Sequence, residues 1–325
     1  MASSPVAALS IDPAAPLLAA PRRQSTVGWQ IASGIRRNPA AIISLVVLLI
    51  VLIAAIFATS LPFTYDHQDL RLRNSPPSQE HLLGTDQLGR DVLSRLAYGA
   101  RVSMTVAVAA TLLTLIIGVV VGSIAGYVGG RTDGLIMRFV DAMYAFPDLL
   151  FVILVSALVR GQLSGDVTGW LAVASVIDQA SSGLFPVFLS LGLTSWLTTA
   201  RLVRAQLMSL KHREYVQASR GAGARSGFIL RKHLLPNTLA PLIVAATLAI
   251  PNAILLEAGL SFIGLGVQPP TPSWGIMISD GVASLRSFPH LMLIPALTIG
   301  LTLLAFNVLG DALRDAVDPL LQRSR

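Results

Sequence analysis

Cysteine is missing from this 325-residue chain, and charged residues make up only 13% of it. Without cysteine the chain can form neither a disulfide bond nor a thiolate metal site. No His-Glu-x-x-His pattern occurs, which excludes the usual helical zinc-protease site. The five histidines are scattered along the sequence, at His67, His81, His212, His233 and His290. We therefore expect no shared metal site.

Lysine is almost as rare, because only Lys211 and Lys232 occur. A P-loop has the pattern G-x-x-x-x-G-K-[ST], in which the lysine reaches the phosphates of ATP. Neither lysine follows a glycine. A serine nucleophile would need a base beside it, and Ser261 has no histidine or lysine nearby in sequence. We therefore expect no P-loop, no catalytic residue and no enzymatic activity in this chain.

Long apolar runs are what the chain has instead, since hydrophobic residues make up 53% of it. A helix of about 20 apolar residues crosses the roughly 30 Å hydrocarbon core of a bilayer. The runs predict an all-α, polytopic membrane protein with six transmembrane helices. The predicted spans are 41–61, 102–130, 136–159, 179–200, 234–256 and 291–310.

Positive charge is concentrated in a few segments of the chain, whose net charge is +7. Eight lysines and arginines lie within 201–232, and four arginines lie within 22–37, before the first span. By the positive-inside rule both segments stay in the cytoplasm. Both termini are then cytoplasmic, and the orienting role of the charge leaves no reason to expect a nucleic-acid partner.

The chain is predicted to be one membrane domain with extensions. Residues 1–39, rich in Ala, Pro and Ser, are expected to be a disordered cytoplasmic tail, and 314–325 a second cytoplasmic tail. Residues 40–98 would hold the first transmembrane helix and an extracytoplasmic segment, and 99–313 the membrane core. In the extracytoplasmic segment, Asp86 is expected to cap a short helix along the membrane surface. Its apolar face would consist of Leu88, Val92, Leu93 and Leu96.

The stretch 214–237, EYVQASRGAGARSGFILRKHLLPN, is polar and broken by glycines between two apolar runs. Tyr215, Ala218 and Ala222 fall at i, i+3 and i+7, on one helical face. Such a face of mostly small residues lets another protein approach closely. The glycines allow the backbone to turn before the next helix, which Pro236 can open.

This stretch resembles the EAA loop of ATP-binding-cassette (ABC) import permeases. That pattern is Glu-Ala-Ala, three residues, Gly, nine residues and Ile-x-Leu-Pro. The three departures here are Gln217 for Glu, Ser219 for the second Ala and His233 for Ile. Glu214 is a candidate to take the role of the missing glutamate. The matching places are Ala218, Gly223, Leu235 and Pro236.

Four further blocks narrow the resemblance to the C-type inner-membrane permease of dipeptide, oligopeptide and nickel importers. They are residues 81–103, 129–150, 256–275 and 301–321. The resemblance implies a type I ABC importer permease fold in a bacterial inner membrane. It also implies a homologous B-type permease, two cytoplasmic ATP-binding subunits, an extracytoplasmic solute-binding protein and membrane lipid as partners. ATP and Mg would be bound by the ATPase subunits, so no cofactor is expected in this chain.

The resemblance implies that the chain forms half of a transmembrane pathway for short peptides and is coupled to the ATPases through a loop at 208–236. The implied coupling residues are Glu214, Tyr215, Gln217, Ala218, Ser219, Gly223, Leu235 and Pro236. Import of nickel or another small solute stays open, because the binding protein mainly determines the cargo. An ion-coupled secondary transporter is a distant alternative, since it should have acids at mid-membrane, whereas the acids here lie near predicted helix ends.

Glu257 is the one charge in the run from Leu234 to Gln268, near the outer end of a predicted span. Ionisable groups inside spans are costly and are therefore functional candidates. Glu257 is expected either to line the pathway or contact the binding protein, or to pair with an arginine or with backbone donors. Asp141 and Asp148, near the cytoplasmic start of another span, are expected to be solvated or paired with arginines.

Overall fold

The computed structural model describes residues 27–163, 168–181 and 183–317. The all-α prediction is confirmed, because these residues form helices and no strand. A π-helical segment, Leu230–Leu234, lies between two of the helices. The helices are α1 (Val27–Arg37), α2 (Pro39–Phe57), α3 (Val92–Val128), α4 (Gly130–Tyr144), α5 (Asp148–Leu163), α6 (Trp170–Ala180), α7 (Phe185–Leu210), α8 (Glu214–Gly221), α9 (Ser226–Ile229), α10 (Leu235–Phe262), α11 (Trp274–Val282) and α12 (His290–Val317).

Four helical stretches of the described residues are long and apolar enough to cross a membrane. They are Pro39–Ser60, Val92–Val128, Ser226–Phe262 and His290–Ala316. The pair α4 and α5 is bent by 92° and the pair α6 and α7 by 111°, and counting each pair as one span raises the total to six. The predicted span over 136–159 thus falls on the bent α4–α5 pair. Pro147 explains that break, because a proline disfavours helical backbone in the residue before it.

The helix α3 begins earlier than predicted, at Val92, and continues without a break for 37 residues. Its N-cap is Asp91, whose Oδ2 accepts a hydrogen bond of 2.7 Å from the N–H of Ser94. Val92 and Leu96 pack with residues of α11 and α12. The prediction of a separate surface helix capped by Asp86 is therefore wrong, because Val92, Leu93 and Leu96 belong to α3, which Asp91 caps, and Leu88 precedes that helix.

A cluster of ion pairs ties the segment before α3 to α11. Asp86 Oδ2 accepts from Arg90 Nε at 2.7 Å and from Arg95, and Asp280 accepts from Arg95 Nη2 at 3.1 Å. Burial alone would raise the pKa of Asp86, but the charges of Arg95 and Arg90 and two backbone N–H donors outweigh it. The pKa of Asp86 is therefore held below its ordinary value, and the carboxylate is a charged part of the cluster.

The first described residues form a helix, so the prediction of a disordered tail over 1–39 is wrong for residues 27–37. α1 packs against the end of α12, where a Cβ on Gly34 would come within 2.5 Å of the Cβ of Ala316. An isolated helix of this length is only marginally stable in water, so this tertiary contact stabilises it. Residues 1–26 lie outside the described residues.

The C-terminal boundary of the membrane core also differs from the prediction. α12 continues to Val317, past the predicted boundary at 313. Arg314 and its neighbours are therefore helical, and their location in the cytoplasm stays a prediction. Residues 318–325, the remainder of the predicted tail, lie outside the described part of the chain.

The helices α3 and α7 form a closely packed central pair. Gly118, Gly122 and Gly126 are spaced four apart on α3 and contact α7. A Cβ on Gly122 would come within 2.5 Å of the carbonyl oxygen of Ala200, so this approach requires glycine. Spans often associate through small residues at this spacing, because lipid supplies no hydrophobic driving force between helices. α7 then leads directly from this interface into the 211–225 segment.

Candidate coupling loop and buried carboxylate

The short helix expected at the start of the loop is α8, and one side of it is anchored. Val216 is fully buried in an apolar cluster with Val203 and Leu207 of α7 and Leu242 of α10. The cluster also contains Ile229, from the helical turns that follow the loop. α8 is therefore attached to two long helices at once.

The small-residue face of α8 is open. Tyr215, Ala218 and Ala222 are exposed, and a Cβ on Gly223 would meet nothing within 4 Å. Gly223 has φ +81°, in the left-handed region that favours glycine, and its N–H donates to Arg220 O at 3.0 Å. The predicted turn is therefore present and ends α8, while the exposed face has room for another protein.

Two polar residues of the predicted coupling set lie on the surface of α8. Gln217 Nε2 donates to the carbonyl oxygen of Lys211 at 3.3 Å, beside the end of α7. Glu214 is exposed in the first turn, where a carboxylate interacts favourably with the helix dipole. Glu214 and Gln217 are three residues apart and share a face of the helix. That Glu214 takes the role of the missing glutamate stays a prediction.

Two further predicted residues lie at the entry to α10. Helical structure runs from Ser226 to Phe262, and the π-helical segment Leu230–Leu234 interrupts it just before Leu235 and Pro236. Proline has no N–H, and its ring clashes with the carbonyl four residues earlier, so the hydrogen-bond ladder has to change near it. Pro236 therefore opens α10 as predicted, although α10 is already preceded by two turns of helix.

The fold brings together two of the departures from the EAA pattern. Ser219 Oγ and His233 Nε2 are 3.4 Å apart. The rings of Tyr215 and Phe228 lie beside the imidazole, with centroids 6.1 and 5.7 Å from it. Sequence reasoning missed this contact, because residues 14 positions apart across a glycine turn share no helical period. The one available signal was that both polar residues replace apolar residues of the same pattern.

Ion pairs also join α4 to α7. Asp133 accepts from both Nε and Nη2 of Arg204, with the Oδ2–Nη2 distance at 2.6 Å. Asp141 is paired with Arg201 near the surface. The expectation of an arginine-paired acid is confirmed for Asp141, whereas Asp148 is exposed at the start of α5. Because exposed ion pairs contribute little to stability, the bidentate Asp133–Arg204 pair is the stronger of the two links.

Glu257 lies near the end of α10 and is fully buried. Its Oε2 accepts from Ser103 Oγ and its Oε1 from Ser261 Oγ, both at 2.7 Å. The expectation that Glu257 pairs with an arginine or with backbone donors is wrong for the described part of the chain. Its hydrogen-bond donors there are serine hydroxyls. A small hydroxyl fits between closely packed helices where a guanidinium does not. Since the carboxyl group is enclosed within this subunit, a role in the pathway would require α3 and α10 to separate.

The beginning of α11 packs beside Glu257. Ser273 is the N-cap of α11, and its Oγ accepts from the N–H of Ile276 at 3.3 Å. Trp274 is fully buried, and its Nε1 donates to Leu96 O at 3.1 Å. The beginning of α11 therefore packs onto α3.

Metal-ligand groups of three or more His, Cys, Asp or Glu side chains do not occur among the described residues. The carboxylates of Asp86, Asp133 and Asp141 are instead engaged by arginines.

Comparison with known proteins agrees with this arrangement. Residues 118–323 match the family described as binding-protein-dependent transport system inner membrane component. Residues 29–77 match the N-terminal TM domain of oligopeptide transport permease C. The chain therefore belongs to the inner-membrane permease components of binding-protein-dependent ABC importers. Within that family it is a C-type permease of the OppC and DppC group.

Individual relatives cover nearly the whole chain. The oligopeptide transport system permease protein OppC of Bacillus subtilis (strain 168) is 41% identical over 290 residues, which are 89% of this chain and 88% of the relative. The dipeptide transport system permease protein DppC of the same organism is 42% identical over 291 residues, with 89% and 84% covered. OppC of Escherichia coli (strain K12) is 41% identical over 285 residues, with 87% of each chain covered. The resemblance inferred from the sequence blocks is confirmed.

Proposed function

We propose that this chain forms half of the transmembrane pathway of an ATP-driven importer of short peptides, which an extracytoplasmic binding protein delivers. The observation that carries the proposal is α8, a helix anchored by Val216 whose small-residue face is left open around Ala218. That face suits insertion into a cleft of a cytoplasmic ATPase subunit. The relatives are named as oligopeptide and dipeptide transport permeases, which supports peptides as the cargo.

Several partners complete this proposal. A homologous B-type permease supplies the other half of the pathway, and two cytoplasmic ATP-binding subunits bind ATP and Mg. The termini and α8 then lie in the cytoplasm. Exposed apolar side chains on α2, including Ile43, Ile50 and Phe57, support contact with lipid or with the second permease.

Coupling follows from how α8 is attached. Closure of the ATPase pair on ATP displaces α8, and the apolar cluster around Val216 passes that displacement to α7 and α10. The permease then changes from an inward-facing to an outward-facing state, and the binding protein releases its peptide into the opened cavity. ATP can bias this equilibrium only if the two states differ in their contacts with the ATPases at α8.

Reconstitution tests the proposal. The chain, its B-type partner, both ATPase subunits and the binding proteins encoded by neighbouring genes are placed in proteoliposomes, and uptake of labelled dipeptides, tripeptides and pentapeptides is measured with ATP hydrolysis. We expect uptake of at least one peptide class that requires ATP, the ATPase subunits and the binding protein. Uptake of Ni²⁺ in place of peptides would indicate the metal-importing alternative. Peptide uptake that persists without the ATPases would contradict the proposal.

A further inference from the structure

His233 is bonded to helical elements on two sides. Its imidazole faces α8, with Nε2 3.4 Å from Ser219 Oγ and the ring beside that of Tyr215. Its carbonyl oxygen accepts a hydrogen bond of 2.6 Å from Asn237 Nδ2 in the first turn of α10. One residue therefore connects the candidate docking helix to the membrane-spanning helix.

Few other contacts determine how α8 is oriented. Gln217 is bonded to the end of α7 and Val216 is the buried side chain of α8, so both contacts lie in the first half of the helix and its second half can still pivot about them. The turn that follows is loosely packed, because Cβ atoms on Gly221 and Gly223 would meet nothing within 4 Å. Ser219 is three residues from Val216, or about 4.5 Å along the helix axis. A second attachment at Ser219 therefore determines the direction of α8 as well as its position.

His233 lies in the π-helical segment, so its contact with α8 can transmit a movement of α8 to α10. A π-helical turn inside a longer helix is a local departure from the regular hydrogen-bond ladder and often occurs at functional sites. The segment Leu230–Leu234 lies directly before Pro236, where the regular ladder is already weakened. A displacement of α8 that reaches His233 therefore passes directly into the start of α10.

We propose that His233 is a positioning residue that, through Ser219, fastens α8 to α10 so that the two helices move as one unit. The proposal rests on the proposed coupling role of α8. An isoleucine at position 233, as in the EAA pattern, could pack against Tyr215 and Phe228 but could not hydrogen-bond to Ser219. The two departures from the pattern thus form a matched polar pair in place of an apolar contact.

Distance measurements between spin labels test this link. The chain has no cysteine, so Arg220→Cys on α8 and Leu239→Cys on α10, both exposed, can be labelled with nitroxides without background. Distances are recorded in the full complex without nucleotide and with ATP trapped by vanadate. With the native pair we expect one narrow distance that is the same in both states. In His233→Ala we expect a broad distribution of label-to-label distances, with a mean that changes when ATP binds.

A rescue variant distinguishes a positioning role of His233 from a general loss of folding. The double variant Ser219→Ala/His233→Ile restores an apolar contact of the family type, and it should recover the single narrow distance, whereas Ser219→Ala alone should not. His212→Ala, at an exposed histidine before α8, is the matched control and should behave as the native protein. An unchanged distance in His233→Ala, or no recovery in the double variant, would overturn the proposal.

Co-purification distinguishes this proposal from the proposed function on which it rests. The ATPase subunits should stay bound to His233→Ala, with fewer peptides transported per ATP hydrolysed. If they dissociate from His233→Ala alone, His233 acts in docking and the positioning role is wrong. If they fail to bind the native chain, the coupling role of α8 is wrong, and the distances in the free permease still test the link between α8 and α10.

Discussion

Ser103 on α3 donates a hydrogen bond of 2.7 Å to Glu257 on α10, across 154 positions of sequence. Both side chains are fully buried, and Ser261 donates to the other carboxyl oxygen. A buried polar group left without a partner costs about 1–3 kcal/mol, so the three groups depend on one another. The carboxyl group therefore cross-links two helices of the membrane core.

Replacing Glu257 should separate its role in packing from its role in transport. Glu257→Gln keeps the size and an acceptor oxygen, so we expect normal abundance and normal pairing with the B-type permease. Glu257→Leu leaves the hydroxyl of Ser103 without its acceptor and should lower the free energy of unfolding by about 1–3 kcal/mol. Thermal unfolding in detergent measures this loss, and Ser103→Ala is the control that removes the donor.

Transport by Glu257→Gln tests the expectation that Glu257 lines the pathway or contacts the binding protein. We expect slower peptide uptake from this variant at unchanged abundance. Uptake at the native rate would show that no step in the pathway depends on the charge of Glu257.

Overpacking the open face of α8 should weaken docking of the ATPase. Ala218→Leu or Gly223→Leu adds a side chain where a cleft leaves no room, at a cost of about 1–3 kcal/mol. Since a tenfold change in affinity corresponds to about 1.4 kcal/mol, we expect roughly one to two orders of magnitude weaker binding. Gly223→Leu is additionally strained by φ +81°. Co-purification of ATPase subunits measures the effect.

The control for this prediction adds a leucine side chain at an exposed position away from α8. Ala283→Leu adds leucine at an exposed position after α11 and should leave ATPase binding unchanged. Permease abundance and pairing with the B-type subunit should be normal in all variants. Full retention of the ATPases by Ala218→Leu would show that this face is not the docking surface.

The predicted orientation can be tested with single cysteines. Ser226, at the start of α9, and Ser78, before α3, are both exposed. A membrane-impermeant thiol reagent added outside intact cells should label Ser78→Cys and leave Ser226→Cys unlabelled until the membrane is opened. Ser164, between the predicted spans 136–159 and 179–200, should also be reached from outside, and it lies outside the described residues. Labelling of Ser226→Cys from outside would contradict the cytoplasmic location of α8.

The contact between α3 and α7 should tolerate no side chain at Gly122. Gly122→Ala places a Cβ against the carbonyl oxygen of Ala200 and should destabilise the subunit by about 1–3 kcal/mol. Gly300→Ala, in the middle of α12 with nothing within 4 Å of the new Cβ, is the matched control and should be neutral or slightly stabilising. Equal unfolding temperatures for both variants would show that α3 and α7 can separate at no cost.

The ion pairs of Asp86 should make stability depend on pH. The pKa of Asp86 is lower in the folded protein than the ordinary value of about 3.9. Its contribution is therefore fully present above that value and is lost as the pH falls through the folded-state pKa. Asp86→Asn should be less stable than the native chain at pH 7, and the difference should shrink below about pH 4.

Thermal unfolding between pH 7 and pH 3 measures this dependence. Glu80→Gln, at an exposed acid in the same outer segment, is the control and should follow the native chain across the range. A constant difference between Asp86→Asn and the native chain at all pH values would contradict the assignment, because it would mean that Asp86 titrates equally in both states.

The apolar runs predicted the straight spans well, because 41–61, 234–256 and 291–310 overlap α2, α10 and α12. The run over 136–159 was less informative. Hydropathy measures how apolar a segment is, and it reveals neither the break at Pro147 nor the angle of 92° between α4 and α5. The early start of α3 was missed for a similar reason, since Val92 joins the helix by burying its side chain against α11 and α12.

The sequence by itself determined the class of protein, the segments able to span a membrane, the absence of a P-loop lysine and the loop whose glycine turns the backbone. Each of these depends on residues close together in the chain. Only the tertiary structure decided that Glu257 is bonded to Ser103 and that Ser219 meets His233. Such partners lie on different helical elements, and their meeting depends on how the helices are rotated and how closely their small residues let them approach.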